Sequence, residues 1–374
     1  MNSQKTSALE ALHNACNNPG EIKNHPGYGD WPVFGCMTDH VPVELIYAAD
    51  ILAVRLQGGN IAFNAPQHLQ SFACAYAKVT THRATSGEYD FLDGVFGAKT
   101  CNVATTVFQL WNYESPLKFS RLISLPGNCD SDAVEYFEKE LLEIKSALAG
   151  FRNTTISDKK LSESISLYSE IREVAANLWQ GKNEGTLDLT AGDLIRALKG
   201  SQVLPPEISL DLLKHLVDEN QTRNSLDKSV RIMLLGNDYA DVALADMVEQ
   251  AGGFVAYDGT DNIGSFFSRP THSETDPIKQ LSSYYLSKVG GCYRLTYEDR
   301  LDHIQDLISK WEIDACINLI QKFCDTAMFE FPLVVESLKK VGVPCLSLEI
   351  DDTSIGMGQL KTRVEAFLET IGDI

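Results

Sequence analysis

The sequence is short of positive charge. It has 32 Lys and Arg against 51 Asp and Glu, a formal net charge of −19 over 374 residues. A nucleic-acid surface needs clustered Lys and Arg against phosphate. Docking on anionic lipid needs the same, so no nucleic acid and no membrane are expected as partners. No apolar run reaches the roughly 18 residues of a membrane-spanning helix. Residues 1–22 carry no charged-then-apolar leader, so a soluble, cytoplasmic protein is expected. Several chemical motifs are also missing. There is no G-x-x-x-x-G-K-S/T phosphate loop, no H-E-x-x-H and no G-x-S-x-G. The eight histidines show no paired metal spacing. Gly356-Met357-Gly358 precedes a helical stretch but lacks the third glycine of a dinucleotide fingerprint. What is present is ordinary globular composition, 44% hydrophobic and 22% charged, at a length that suits two domains.

Hydrophobic periodicity organises the chain. Residues 231–236 form an apolar run ending at glycine, 239–250 are amphipathic, and 254–258 form a second apolar run after Gly252-Gly253. This is the pattern of a parallel strand–helix–strand unit. The alternation continues with a helix over 300–311, a strand over 313–320, a helix ending at Gly342, a strand over 343–350 and a helix over 360–370. Weaker alternation runs from residue 31: strands at 31–34 and 51–56, helices at 42–49, 67–80 and 104–111, and an extended stretch at 91–97. Between lies a polar, leucine-studded region broken near Gly150, Gly192 and Pro205-Pro206. The expected fold is α/β: two Rossmann-like, doubly wound domains, 1–135 and 228–374, joined by a helical connector over 136–227.

Cysteine is the unusual component. Nine are scattered at 16, 36, 74, 101, 129, 292, 316, 324 and 345, an odd number with no CxxC pair. A disulfide framework, a zinc ribbon and a thioredoxin-type site are therefore not supported. Cys36, Cys101 and Cys324 each follow a strand candidate, and Cys74 lies in a helical stretch among alanines. Open α/β sheets bind ligands beyond the carboxyl ends of their strands, so these four can share one interdomain cleft, where converging thiolates would suit an iron–sulfur cluster. The alternative is that they fill the core as small hydrophobes. Cys316 and Cys345 sit mid-strand and read as core; Cys16 and Cys129 read as surface thiols; Cys292, in a loop, stays open.

Five blocks in order resemble one family. They are Gly35-Cys36 through Pro42-Val43-Glu44-Leu45-Ile46; Phe72-Ala73-Cys74 with Asp93-Gly94-Val95 and Thr100-Cys101; Gly291-Cys292 with Arg300; Lys322-Phe323-Cys324-Asp325; and Gly342-Val343-Pro344 through Thr362-Arg363-Val364-Glu365. The chain resembles the 2-hydroxyacyl-CoA dehydratase subunits, whose relatives include benzoyl-CoA reductase subunits and double-cubane cluster proteins. The resemblance implies a 4Fe–4S cluster in the interdomain cleft, with Cys36, Cys74 and Cys324 as ligands and Cys101 as a fourth candidate. The family's Cys-Asp pair is here Cys101-Asn102, which loses a carboxylate. Cys292 matches a common family cysteine and leaves a double-cubane cluster open.

The implied chemistry is reductive. A separate ATP-hydrolysing activator iron–sulfur protein delivers an electron to an acyl-CoA thioester, whose ketyl radical expels a hydroxyl. In the reductases the electron enters an aromatic ring, and in the double-cubane proteins small molecules are reduced. A homologous second subunit is expected, as a heterodimer or a homodimer. Two residues near Cys36 have double readings. Glu44 is either a cleft carboxylate that moves a proton or an acid stabilising a helix N-terminus. His40 is either a donor at the cluster or a structural histidine. Asp325 and Asp351 read as strand-end caps.

Overall fold

The computed structural model describes residues 7–57, 69–222, 229–237, 243–269, 274–288, 297–350 and 357–372. The chain starts with α1 (Ala8–Asn17), capped by Ser7 and Glu10 in a reciprocal box. The first lobe follows: β1 (Val33–Cys36), α2 (Val43–Tyr47), β2 (Leu52–Arg55), α3 (Ala75–Thr85), β3 (Gly94–Ala98), α4 (Asn102–Glu114) and β4 (Phe119–Ile123). Its four strands are parallel, in the order β2-β1-β3-β4.

Four helices come next: α5 (Ser131–Arg152), α6 (Asp158–Asn183), α7 (Ala191–Ser201) and α8 (Pro206–Glu219). The left-handed Asn153 ends α5, and Pro206 starts α8 at a position where its missing N–H costs nothing. The second lobe contains β5 (Arg231–Gly236), α9 (Ala243–Gln250), β6 (Phe254–Asp258), α10 (Pro277–Ser287), α11 (Tyr297–Trp311), β7 (Ala315–Gln321), α12 (Asp325–Lys340), β8 (Cys345–Ile350) and α13 (Met357–Gly372). Its sheet is also parallel, in the order β6-β5-β7-β8. A π-helical turn, Asp261–Ser265, follows β6.

The two sheets therefore share one topology. In each, the winding reverses between the first strand and the third, which places the ligand crevice beyond the carboxyl ends of β1 and β3 in one lobe and β5 and β7 in the other. Central strands β1, β3 and β7 are buried along their whole length, as expected for sheets covered on both faces. β4, not foreseen from the sequence, is an edge strand that is only partly buried and carries Ser120 and Arg121.

Residues 8–17 leave the first sheet and pack on α7. There a Cβ at Gly200 would stand 2.0 Å from the Leu12 carbonyl oxygen. Gly200→Ala is expected to push α1 away and cost about 1–3 kcal/mol, read as a lower urea midpoint at unchanged m-value. Among the described residues no helix is long and apolar enough to cross a membrane.

Candidate metal centre

Three cysteines occupy one kind of position. Cys74 is the N-cap of α3, Cys101 of α4 and Cys324 of α12. Cys101 stands three residues past Ala98, the last of β3, and Cys324 three past Gln321, the last of β7. Since β3 and β7 are equivalent in the two sheets, these two thiols come from matching points of the two lobes. A helix N-terminus offers unpaired N–H groups and a positive dipole end, which favour a thiolate. Cys101 Sγ accepts the N–H of Ala104 at 3.3 Å. Cys324 Sγ accepts the side-chain amide of Asn237, at the end of β5, at 3.7 Å, and lies 3.4 Å from Thr326 Oγ1.

The three thiols are close enough to act on one another. Burial pushes Cys74 up to about 12; the Ala77 N–H opposes this, while charge on Cys324 or Cys101 would push it further. Burial also raises Cys101, against the N–H of Ala104, and charge on Cys324 would add to the rise. Neutral thiols grouped in this way hold protons that a bound metal would displace. Contacts within the first lobe and across the crevice fix the arrangement. Tyr76 N–H donates to Gln321 Oε1 at 3.2 Å, Tyr76 hydroxyl donates to the Met37 carbonyl, and Lys78 Nζ stands 5.5 Å from the Phe323 ring centroid. Phe323 itself has φ +66°, a left-handed conformation that costs a bulky residue about 1–2 kcal/mol. Such strain beside a candidate ligand is the pattern found at functional sites.

Cys36 is not brought into this group. It is the last residue of β1 and only 1% exposed. By strand alternation it shares a sheet face with Phe34, which packs on Phe119 and Phe151. Burial pushes its thiol up to about 12, opposed by the nearby Arg55, and its charge would act on Tyr168 of α6. Arg55 donates from Nη1 to the carbonyl oxygens of Cys36, Met37 and Leu56 and from Nη2 to Asn262 Oδ1 in the other lobe, at 2.6–3.3 Å. Cys316 is fully buried in β7 and Cys345 half-buried opposite it in β8; Cys16 is half-buried and Cys129 exposed. Cys292 and Asp351 lie outside the described residues.

Glu44 and His40 are both fully buried. The Arg172 guanidinium of α6 donates to Glu44 Oε1, and the Tyr285 hydroxyl of α10 donates to Oε2 at 2.7 Å. Burial pushes the Glu44 carboxyl up, but Arg172 and these hydrogen bonds outweigh it and hold it below its usual value of 4.5. A carboxyl depressed on folding stabilises the fold above pH 4.5 and loses that contribution as pH falls through its folded value. Urea unfolding of the native chain and Glu44→Gln is therefore expected to show a constant gap from pH 7 to about 4.5 that narrows below. A gap independent of pH would refute the pairing. His40 Nδ1 lies 2.9 Å from Asp39 Oδ1, and Asp39 Oδ2 accepts the Ser265 hydroxyl of the second lobe.

Of the four cysteines expected to share the cleft, the structure groups Cys74, Cys101 and Cys324. Asn237, Gln321, Arg172 and Tyr285 were not foreseen. Asn237 alone had a signal, its place just after the glycine that ends β5. Soft thiolates with N–H donors on two sulfurs fit an iron–sulfur group. Among the described residues no three His, Cys, Asp or Glu side chains close on a single ion. A cubane cluster binds each thiolate through a different iron and so takes more widely spaced sulfurs.

A family model described as 2-hydroxyglutaryl-CoA dehydratase, D-component, matches residues 39–371. The chain is 23% identical to a benzoyl-CoA reductase subunit of Thauera aromatica, over 91% of this chain and 90% of that one. It is 22% identical to the (R)-phenyllactyl-CoA dehydratase beta subunit of Clostridium sporogenes, over 94% of each. Among solved structures, the SBP FpvC of Pseudomonas aeruginosa in complex with Mn2+ aligns at a TM-score of 0.25 and 10% identity, covering 91% of this chain and 97% of that one.

Proposed function

Because the chain belongs to the 2-hydroxyglutaryl-CoA dehydratase, D-component family, we propose that it is the iron–sulfur subunit of an activator-dependent 2-hydroxyacyl-CoA dehydratase. The observation that carries this reading is the grouping of Cys74, Cys101 and Cys324, two of them from matching points of the two lobes. These three would hold a 4Fe–4S cluster, which supplies single electrons at low potential when bound. The Ala104 N–H and the Asn237 amide donate to two of the sulfurs, and such bonds raise a cluster's potential by stabilising its more negative state. The three cysteines are partly buried, which leaves the group reachable from the crevice. His40 and Glu44, each open to a catalytic or a structural role from the sequence, belong in this reading to the buried ties between the lobes.

A homologous second subunit and a separate ATP-hydrolysing activator complete the proposed enzyme. The name of the Clostridium relative, a beta subunit, supports the first. So do apolar side chains left in solvent beside the cysteines: Phe72 is 61% exposed and Phe329 83%. A second reading, a benzoyl-CoA reductase subunit, is favoured by the match to the Thauera chain. Both readings require iron. Anaerobic purification with the partner subunit is expected to yield about four irons and four sulfides per chain. About eight would point to a double-cubane protein, and none would overturn the proposal.

A further inference from the structure

A cavity of about 100 Å³ lies in the second lobe, beyond the ends of β5 and β6, where Leu235 and Gly259 border it. Its polar lining comes from Ser265, Ser268, Arg269, Lys288, Arg300 and His303. In a chain of net charge −19, so many cationic side chains facing one small space are unexpected. Lys288 and Arg300 are buried, and Arg269 stands exposed at the rim. A space of this size suits a small oxyanion.

Two acidic groups near this lining, Glu330 and Asp39, are already engaged. Arg300 Nε pairs with Glu330 at 2.7 Å. Lys288 Nζ donates to a neutral acceptor, the Asp39 carbonyl oxygen, at 2.9 Å, and is flanked by the Tyr284 and Tyr285 rings. The Asp39 carboxylate, the nearest charge behind it, is taken up by His40 and the Ser265 hydroxyl. An ammonium has three donors, and among the described residues Lys288 uses one in a hydrogen bond. Arg269 bonds only loosely, to the Glu173 carbonyl at 3.4 Å. Burial pushes the Lys288 ammonium down to about 8, and an anion seated against its unused donors would favour the charged form.

We infer that this cavity binds a phosphoryl oxyanion, held by Lys288 and Arg300 on its floor and by Arg269 at its rim. Guanidinium and ammonium donors with adjacent hydroxyls match the tetrahedral acceptor set of phosphate. The oxyanion can be free phosphate or the phosphate ester of an acyl-CoA. Only the second source rests on the function proposed above.

The test is calorimetric titration of the full chain with inorganic phosphate at constant ionic strength in chloride. Saturable one-to-one binding is expected, weakened at least tenfold by Arg269→Gln and abolished by Lys288→Met. Should Lys288→Met fail to fold, the rim double variant Arg269→Gln/His303→Gln carries the test, its fold checked by circular dichroism. Displacement of phosphate by coenzyme A but not by pantetheine would identify the ester as the source. Displacement by neither would identify free phosphate. Absence of saturable binding, binding unaffected by the rim variants, or displacement by pantetheine would overturn the inference. Iron content of the same preparation reports separately on the cysteine group.

Discussion

Arg172→Met is expected to lower the unfolding free energy by about 3–5 kcal/mol, because it leaves the buried Glu44 carboxylate without its cation. Both side chains are nearly inaccessible, at 3% and 1% exposure. The pair joins α6 of the helical layer to α2 of the first lobe, and Tyr285 brings in α10 of the second. The guanidinium also stands over the Tyr284 ring at 4.6 Å, and Ser164 of α6 donates to the Glu44 carbonyl at 2.7 Å. One ion pair thus ties together three parts of the chain. Removing both charges should cost less than removing one, so Arg172→Met/Glu44→Leu is expected to regain part of the loss. Urea unfolding of the four members of this cycle measures it. A loss under about 1 kcal/mol for Arg172→Met, typical of exposed pairs, would show that the pair does not tie the lobes.

The second large effect concerns iron. Cys74→Ala, Cys101→Ala and Cys324→Ala are each expected to strip most of the iron from the anaerobically purified protein, because each removes one of the three thiolates of the proposed cluster. Each thiol is a helix N-cap rather than a core side chain, so the apo-protein should keep its native circular dichroism. Cys324→Ser is the sharper variant. Serine caps a helix as well as or better than cysteine, so a loss of iron there reports on the thiolate and not on the helix.

Much of the fold was legible because parallel strands buried on both faces leave continuous apolar runs. Residues 231–236 and 313–320 are such runs, and β5 and β7 form there. β4 escaped notice because an edge strand alternates: Ser120 is exposed and Ile123 buried. α3 begins at Ala75, later than its small-residue composition suggested, and this shift turns Cys74 from a helical residue into a cap. The candidate site was legible only in part. Cys36, Cys101 and Cys324 share one signature, a cysteine after an apolar run. Cys36, however, is still within the pleat of β1, which turns its side chain onto the face of Phe34, whereas Cys101 and Cys324 lie beyond the pleat in a cap. The sequence does not show where a pleat ends to within one residue. The sequence offers Glu44 as a cleft acid or an acid at a helix N-terminus, but its partners stand 128 and 241 residues away, beyond the reach of any local pattern.

The most direct test of the ligand assignment is the iron content of Cys36→Ala beside that of Cys101→Ala, both purified anaerobically with the partner subunit. Cys36→Ala is predicted to retain about four irons per chain and Cys101→Ala to lose them. Iron lost from Cys36→Ala and kept by Cys101→Ala would contradict the account.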